Sequence, residues 1–177
     1  MTVWIALLRG INVGGNNILP MKDLRALLEQ AGLTQVRTYI QSGNCVFEAD
    51  ETDPRALEQT IAAAIDAAFG FRPQILVMRA ETFQQALAAN PYPEGTDDPK
   101  TVHFFFLAEP AAGADLAAME DLRAGTERFA LTDLVFYLHA PDGIGRSKLA
   151  AKVERHLGVA TTARNLRSVM KLAELAG

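Results

Sequence analysis

The chain has 177 residues, of which 49% are hydrophobic and 21% charged, a composition ordinary for a soluble globular protein. Its formal net charge of −4 excludes a generally basic, nucleic-acid-binding protein, although a local basic face is compatible with it. A single cysteine, Cys45, excludes a disulfide within one chain and a zinc site made of thiolates. The first ten residues lack the features of a signal peptide, and their apolar run is too short to cross a bilayer. We therefore expect a cytoplasmic protein that does not associate with a membrane.

The first half of the chain is predicted to alternate strands and helices. The continuous apolar run Val3–Leu8 predicts a strand that is covered on both faces. Pro20 is predicted to be the first residue of the first helix, and Gly32 to follow its end. Asp53 is a predicted helix cap. The predicted elements are strand Val3–Leu8, helix Pro20–Ala31, strands Val36–Ile40 and Cys45–Glu48, helix Pro54–Phe69 and strand Gln74–Met78. This order is the split βαβ pattern of ferredoxin-like folds.

The second half is predicted to repeat this pattern more loosely. Its elements are helix Glu81–Ala89, loop Asn90–Lys100, strand Val102–Leu107, helix Leu116–Leu122, strands Arg128–Leu131 and Leu134–His139 around a tight Thr132-Asp133 turn, helix Ser147–Leu157, a short edge strand Val159–Thr161 and helix Leu166–Leu175. The predicted fold is therefore α+β, with two ferredoxin-like (split βαβ) subdomains whose antiparallel sheets pack into one compact unit. Residues 1–79 form the first subdomain, 80–100 a helix and connector, and 101–177 the second subdomain with its C-terminal helix.

The loop Arg9–Asn17, with the sequence RGINVGGNN, lies between a strand and a helix. Glycine and asparagine suit positive φ and outward-facing backbone N–H groups, and the arginine and the helix N-terminus favour an anion. The glycine spacing matches neither a dinucleotide-binding fingerprint nor a P-loop. The alternative is purely structural: the glycines permit a cramped turn and the asparagines satisfy backbone groups.

The predicted topology brings this loop to the turn Gln41–Asn44. The first two strands of a split βαβ unit run parallel with the third between them, so both segments lie at one end of the sheet. Arg9 is the predicted charge partner, the backbone of Gly14–Asn17 the donor cradle, and Gln41, Ser42 and Asn44 the orienting side chains. The resulting Arg9 patch comprises Arg9, Asn12, Gly14, Gly15, Asn16, Asn17, Gln41, Ser42, Gly43 and Asn44.

A second group of predicted anion contacts lies near the C-terminus and consists of Arg146, Lys148 and Arg164. The turn Asp142–Lys148 resembles a fragment of a phosphate loop with its residues in the wrong order, and it leads into a helix. Arg164, Arg167 and Lys171 are predicted to share one face of the last helix. A solvated charged face is the alternative, and an RNA backbone is another anion that would fit. RNA binding through the sheet face is poorly supported, because the third strand lacks the aromatic pattern of RNA-binding sheets.

Four separated motifs connect the chain to a known family. They are LLRGINVGG around Arg9–Gly15, TYIQSGN at Thr38–Asn44, YLHAPDGIGRSKL at Tyr137–Leu149 and TTARN at Thr161–Asn165. In this order they resemble the bacterial domain of unknown function 1697 family over essentially the whole chain. The resemblance implies an α+β protein of two ferredoxin-like subdomains, and it implies no established activity, cofactor or catalytic residue. This chain has Leu166 and Ser168 where the family usually has tryptophan and threonine.

The sequence predicts neither a metal nor a cofactor, because the three histidines show no ligand spacing. The leading hypothesis is a protein that binds a phosphorylated or otherwise anionic small ligand at the Gly/Asn-rich loop. One alternative is an enzyme that uses the same cleft, with Tyr39, Tyr137 or His139 transferring protons; no base–nucleophile pair is recognisable. A third is a module that binds RNA, or one that pairs with itself or with another protein through an edge strand. Neither the ligand nor the oligomeric state is predicted.

Overall fold

The computed structural model describes residues 1–177 and contains eight strands and six α-helices. In chain order they are β1 (Thr2–Arg9), α1 (Met21–Gln30), β2 (Thr34–Tyr39), β3 (Asn44–Ala49), α2 (Pro54–Phe69), β4 (Gln74–Arg79), α3 (Ala80–Ala88), β5 (Val102–Leu107), α4 (Leu116–Leu122), β6 (Arg128–Leu131), β7 (Val135–His139), α5 (Lys148–Leu157), β8 (Thr161–Asn165) and α6 (Leu166–Ala176). Two 3₁₀ turns, Pro93–Thr96 and Pro99–Thr101, precede β5. None of the helices has the length and apolarity that crossing a bilayer requires.

Two four-stranded antiparallel sheets confirm the predicted α+β class. The first has the strand order β2-β3-β1-β4, and the second repeats it as β6-β7-β5-β8. Each sheet therefore has the ferredoxin-like order, with the first strand of the βαββαβ unit in a central position. The chain forms two units: the first unit is Met1–Gln85 with Lys171–Gly177, and the second unit is Ala86–Met170.

The core of the first unit lies between its sheet and the helices α1 and α2. The β1 side chains Trp4–Leu8 are all buried, as continuous apolarity predicts. In α2, Leu57, Ile61 and Ile65 recur every four residues and form the buried stripe. Asp53 caps α2 by accepting from the Arg55 N–H at 3.0 Å, and Gly70 follows the helix in the left-handed conformation. The predicted cap and the predicted helix Pro54–Phe69 are therefore confirmed.

The second unit covers its sheet on both faces. On one face, Phe105 and Leu138 pack against Met119 of α4 and Leu149 of α5. On the other face, residues 86–101 lie over the sheet. The Tyr137 hydroxyl donates to the Ala86 carbonyl at 2.7 Å, and Gly95 lies so close that a Cβ there would be 2.2 Å from a Val102 methyl carbon.

The predicted bounds of the last strand are wrong. The last strand is Thr161–Asn165 rather than Val159–Thr161, because Thr161 pairs with Leu107 and the ladder continues to the pair His103–Asn165. Arg164 consequently lies on β8, so Arg164, Arg167 and Lys171 do not share a helix face. The helix after β8 begins at Leu166, where the Asn165 Oδ1 accepts from the Ser168 N–H at 3.0 Å.

Pro20 also differs from its predicted position. Its ψ of 139° is not helical, so it precedes α1 instead of occupying the first helical position. The helix has no side-chain cap at this end. Pro20 nevertheless suits the boundary, since its carbonyl accepts the Leu24 N–H at 3.0 Å and it has no N–H of its own to satisfy.

Candidate functional site

The tip of the Arg9–Asn17 loop is a small hairpin. Gly14 and Gly15 have φ angles of 59° and 76°, and the Asn16 N–H donates to the Val13 carbonyl at 3.0 Å. Two consecutive positive φ angles define a type I′ turn, which glycine adopts without a steric penalty. The glycines therefore shape an exposed tip, and one of the predicted cradle donors, the Asn16 N–H, is used inside the turn.

Two asparagine side chains close the loop at its base. Asn12 makes three hydrogen bonds: its Nδ2 donates to the carbonyls of Leu19 and Gln41, each at 2.8 Å, and its Oδ1 accepts from the Leu19 N–H at 2.7 Å. Asn17 donates to the Gly10 carbonyl at 3.2 Å. Both asparagines have φ near 50°, a conformation that asparagine tolerates better than most residues. These side chains satisfy backbone groups, as the structural alternative predicts.

The loop and the Gln41–Asn44 turn lie together, as the topology predicts. The Leu8 N–H donates to the Gly43 carbonyl at 2.8 Å, beside the contact between Asn12 and Gln41. Gly43 has a φ of 87°, and a Cβ at this position would lie 2.7 Å from the Leu8 Cβ. Close approach and backbone conformation therefore both require glycine here.

The polar side chains of the turn point partly inward. Asn44 is fully buried, and its Nδ2 donates to the Tyr39 carbonyl at 2.9 Å and the Ser42 Oγ at 2.8 Å. Arg9 and Gln41 are exposed. The Arg9 patch thus presents Arg9, Gln41 and the glycine tip on the surface, while most of its asparagines hold the backbone in place.

A cavity of about 540 Å³ lies in the second unit, between two segments of its chain. One segment, residues 121–127, comprises the end of α4 and its connection to β6. The other, residues 142–148, comprises most of the connection from β7 and the first residue of α5. We call it the α4–α5 cavity. Arg146 and Lys148, two of the predicted anion contacts, line it and are exposed. Arg164 is absent from its lining and lies half-buried on β8.

Hydrogen bonds fix both walls of this cavity. Ser147 caps α5 by accepting from the Ala150 N–H at 3.0 Å. On the other wall, the Glu127 carboxylate accepts from the Ala124 N–H at 2.7 Å. The Thr126 hydroxyl donates to the Asp142 carboxylate at 2.5 Å and joins the two segments. The cavity is therefore built from turns that their own side chains hold in shape.

An aromatic and charged cluster lies on the opposite face of the second sheet. Arg128 lies over the Tyr92 ring at 4.9 Å and forms an ion pair with Glu94. The His139 ring stacks on Tyr92, with centroids 5.6 Å apart. Arg128 also lies 3.0 Å from the His139 Nδ1; because a guanidinium only donates, Nδ1 accepts and the ring is neutral. Burial, and secondarily the Arg128 charge, lower the pKa of His139.

Two further titratable groups of the second unit are buried. Burial raises the pKa of Tyr137 to about 12, and its hydroxyl is engaged with Ala86. Burial also lowers the pKa of His103, although a hydrogen bond with the Lys100 backbone opposes this, and its Nε2 has no hydrogen-bond partner. A tyrosine with so high a pKa is poorly suited to proton transfer near neutral pH. The geometry thus gives the enzyme alternative no support from Tyr137.

Comparison with known proteins identifies the family. The family described as "Protein of unknown function (DUF1697)" matches residues 1–137. The chain belongs to this family. Among solved structures, the DUF1697 chain is similar to "conserved bacterial protein SP0830 from Streptococcus pneumoniae", with a TM-score of 0.77, 24% identity and 99% of each chain covered. That similarity supports the fold. No curated protein matches the sequence significantly.

The predicted site residues of this DUF1697 protein fall into three places. The ten residues of the Arg9 patch lie together in the first unit, Arg146 and Lys148 line the α4–α5 cavity in the second, and Arg164 lies on β8. Sequence reasoning missed Glu127 and Thr126, which also line the cavity. No local pattern marks these two residues, because the α4–β6 connection carries no motif. No cluster of three or more His, Cys, Asp or Glu side chains has a metal-binding arrangement.

Proposed function

We propose that this protein binds a phosphorylated or otherwise anionic small molecule in the α4–α5 cavity, with Arg146 and Lys148 contacting the anionic group. The observation that carries this proposal is the position of these two cations on one cavity of about 540 Å³. Small-molecule sites typically have volumes of about 300–1,000 Å³. Neither cation has an ion-pair partner within 4 Å in the protein, so both are available to a ligand.

The start of α5 adds to the attraction for an anion. Lys148 is the first residue of the helix, and the Ser147 side chain accepts only the Ala150 N–H among the N–H groups of the first turn. The helix dipole favours negative charge at this end. Two charge-assisted hydrogen bonds of about 1.5–3 kcal/mol each correspond to a dissociation constant between millimolar and tens of micromolar.

The Arg9 patch is the other location that the sequence predicts for an anion. Its internal contacts favour a structural role, because Asn12, Asn17 and Asn44 donate to backbone carbonyls. Anion binding there would depend on Arg9 and the amides of the exposed glycine tip. Binding at the Arg9 patch and binding in the α4–α5 cavity therefore predict different effects of the same substitutions on ligand affinity.

The test is a thermal-shift screen against inorganic phosphate and a panel of phosphorylated metabolites, followed by calorimetric titration. We expect the double variant Arg146→Ala/Lys148→Ala to bind at least about a hundredfold more weakly, since each of the two lost contacts contributes about 1.5–3 kcal/mol. The matched control is Lys152→Ala, which removes a cation from α5 outside the cavity lining. Arg9→Ala tests the patch. Undiminished binding by the double variant, with loss in Arg9→Ala, would place the anion at the patch and overturn the cavity assignment.

The same titration distinguishes a small ligand from RNA. RNA binding predicts a dissociation constant that rises steeply with salt over several phosphate contacts. A small anion held by two cations predicts a shallow dependence on salt concentration. Absence of binding to every member of the panel would contradict the proposed function.

A further inference from the structure

We propose that the ligand of the α4–α5 cavity is a zwitterion that carries a protonated amine as well as its anionic group, with Glu127 and Asp142 contacting the amine. This inference rests on the proposed function and names the class of ligand. The cavity is lined by the cations Arg146 and Lys148 and also by the carboxylates of Asp121, Glu127 and Asp142.

These opposite charges line one cavity without pairing with each other. No ion pair within 4 Å links Arg146 or Lys148 to any of the three carboxylates. The third lining cation, Arg123, is engaged elsewhere, because its Nε pairs with Glu120 at 2.5 Å. A ligand that ends in an anion on one side and a cation on the other would compensate both sets of charges.

Glu127 is the most informative of the three carboxylates because it is only 4% exposed. A buried carboxylate without a cationic partner is costly, and burial is usually compensated by pairing and hydrogen bonds. One of its oxygens accepts the Ala124 N–H, and Arg123 donates to its backbone carbonyl, not to its carboxylate. An ammonium group in the cavity would supply the missing opposite charge.

Asp142 extends the acidic side of the cavity to the other wall. Its Oδ2 accepts the Thr126 hydroxyl at 2.5 Å, so the carboxylate is held where the two segments meet. A simple dianion would gain contacts with Arg146 and Lys148 and would also be repelled by these carboxylates. A phosphate ester that bears an amine would contact the two cations through its phosphate and the carboxylates through its ammonium group. The cavity is large enough for such a molecule.

The experiment compares phosphoethanolamine with propyl phosphate, which has a methyl group in place of the ammonium. We expect the protein to bind phosphoethanolamine roughly tenfold more tightly, the effect of one charge-assisted contact. Glu127→Gln should reduce this preference towards unity and leave propyl phosphate binding unchanged or stronger. Asp142→Asn, which keeps an acceptor for Thr126, is the second variant, and Asp133→Asn removes an exposed carboxylate of the same unit as a control.

The outcomes separate this inference from the proposed function. Equal binding of both esters, lost in the Arg146→Ala/Lys148→Ala double variant, would overturn the zwitterion and leave the anion site intact. A preference for phosphoethanolamine that persists in both Glu127→Gln and Asp142→Asn would also overturn it. Binding of neither ester, with phosphate itself bound, would reject both as ligands and the zwitterion with them. No binding of any phosphate would contradict the proposed function itself.

Discussion

Gly43→Ala is expected to lower the free energy of unfolding by about 2–5 kcal/mol. The new Cβ would lie 2.7 Å from the Leu8 Cβ and 2.8 Å from the Ile11 Cδ1. The isoleucine methyl can rotate away, but the Leu8 Cβ is fixed to the backbone of a buried strand. Overpacking of this kind costs about 1–3 kcal/mol. The φ of 87° adds about 1–2 kcal/mol, the penalty for a side chain in the left-handed region.

Gly10→Ala is the matched control for this variant. Gly10 has a φ of 76°, and a Cβ there would meet nothing within 4 Å. Only the conformational penalty of about 1–2 kcal/mol applies, so Gly43→Ala should be the more damaging variant. Urea unfolding followed by circular dichroism measures both. Equal losses in the two variants would refute the claim that close packing of the turn against β1 requires Gly43.

Three further predictions concern stability. Asn12→Ala should lower the free energy of unfolding, measured in urea, by about 2–3 kcal/mol because three hydrogen bonds are lost. Exposed Asn16→Ala should change it by less than about 0.5 kcal/mol. Similar values for the two variants would contradict the role of Asn12. Tyr137→Phe should lower the free energy of unfolding by about 1–3 kcal/mol, because the hydrogen bond to Ala86 is lost. In ultraviolet titration the variant should also lack the tyrosine that ionises near pH 12. An unchanged titration would show that this group is another tyrosine. Burial lowers the pKa of His103 and His139 below 6.5, so the unfolded state binds protons first and stability should fall as pH drops from 7 towards 5. His139→Gln should flatten this fall, and an equally steep profile in the variant would count against it.

Local signals were sufficient to predict the first ferredoxin-like subdomain. Asp53 and Gly70 bound α2 because capping and left-handed glycine are local effects. The meeting of the Arg9 loop with the Gln41–Asn44 turn followed from strand order alone. The contacts of Asn12 could not be predicted, because they depend on the side-chain geometry of a loop that closes on itself.

Several features of the second subdomain could not be predicted from local sequence, because they depend on contacts between separate segments. The predicted last strand begins two residues before β8, because apolar Val159 is typical of a strand whereas pairing with β5 begins at Thr161. The cluster of Tyr92, Arg128 and His139 joins residues far apart in sequence, and one of them lies in a proline-rich loop without periodicity. The α4–α5 cavity likewise requires two connections to meet, which no motif in either one indicates.

Amide NMR during a titration with phosphoethanolamine shows whether an anion binds in the α4–α5 cavity. We expect the largest chemical-shift changes at residues 121–127 and 142–148, on the two walls of the cavity. Changes concentrated at residues 9–17 and 41–44 would place the ligand at the Arg9 patch and contradict binding in the cavity. Saturating ligand without shifts in either region would contradict anion binding by this protein at the sites its sequence and structure indicate.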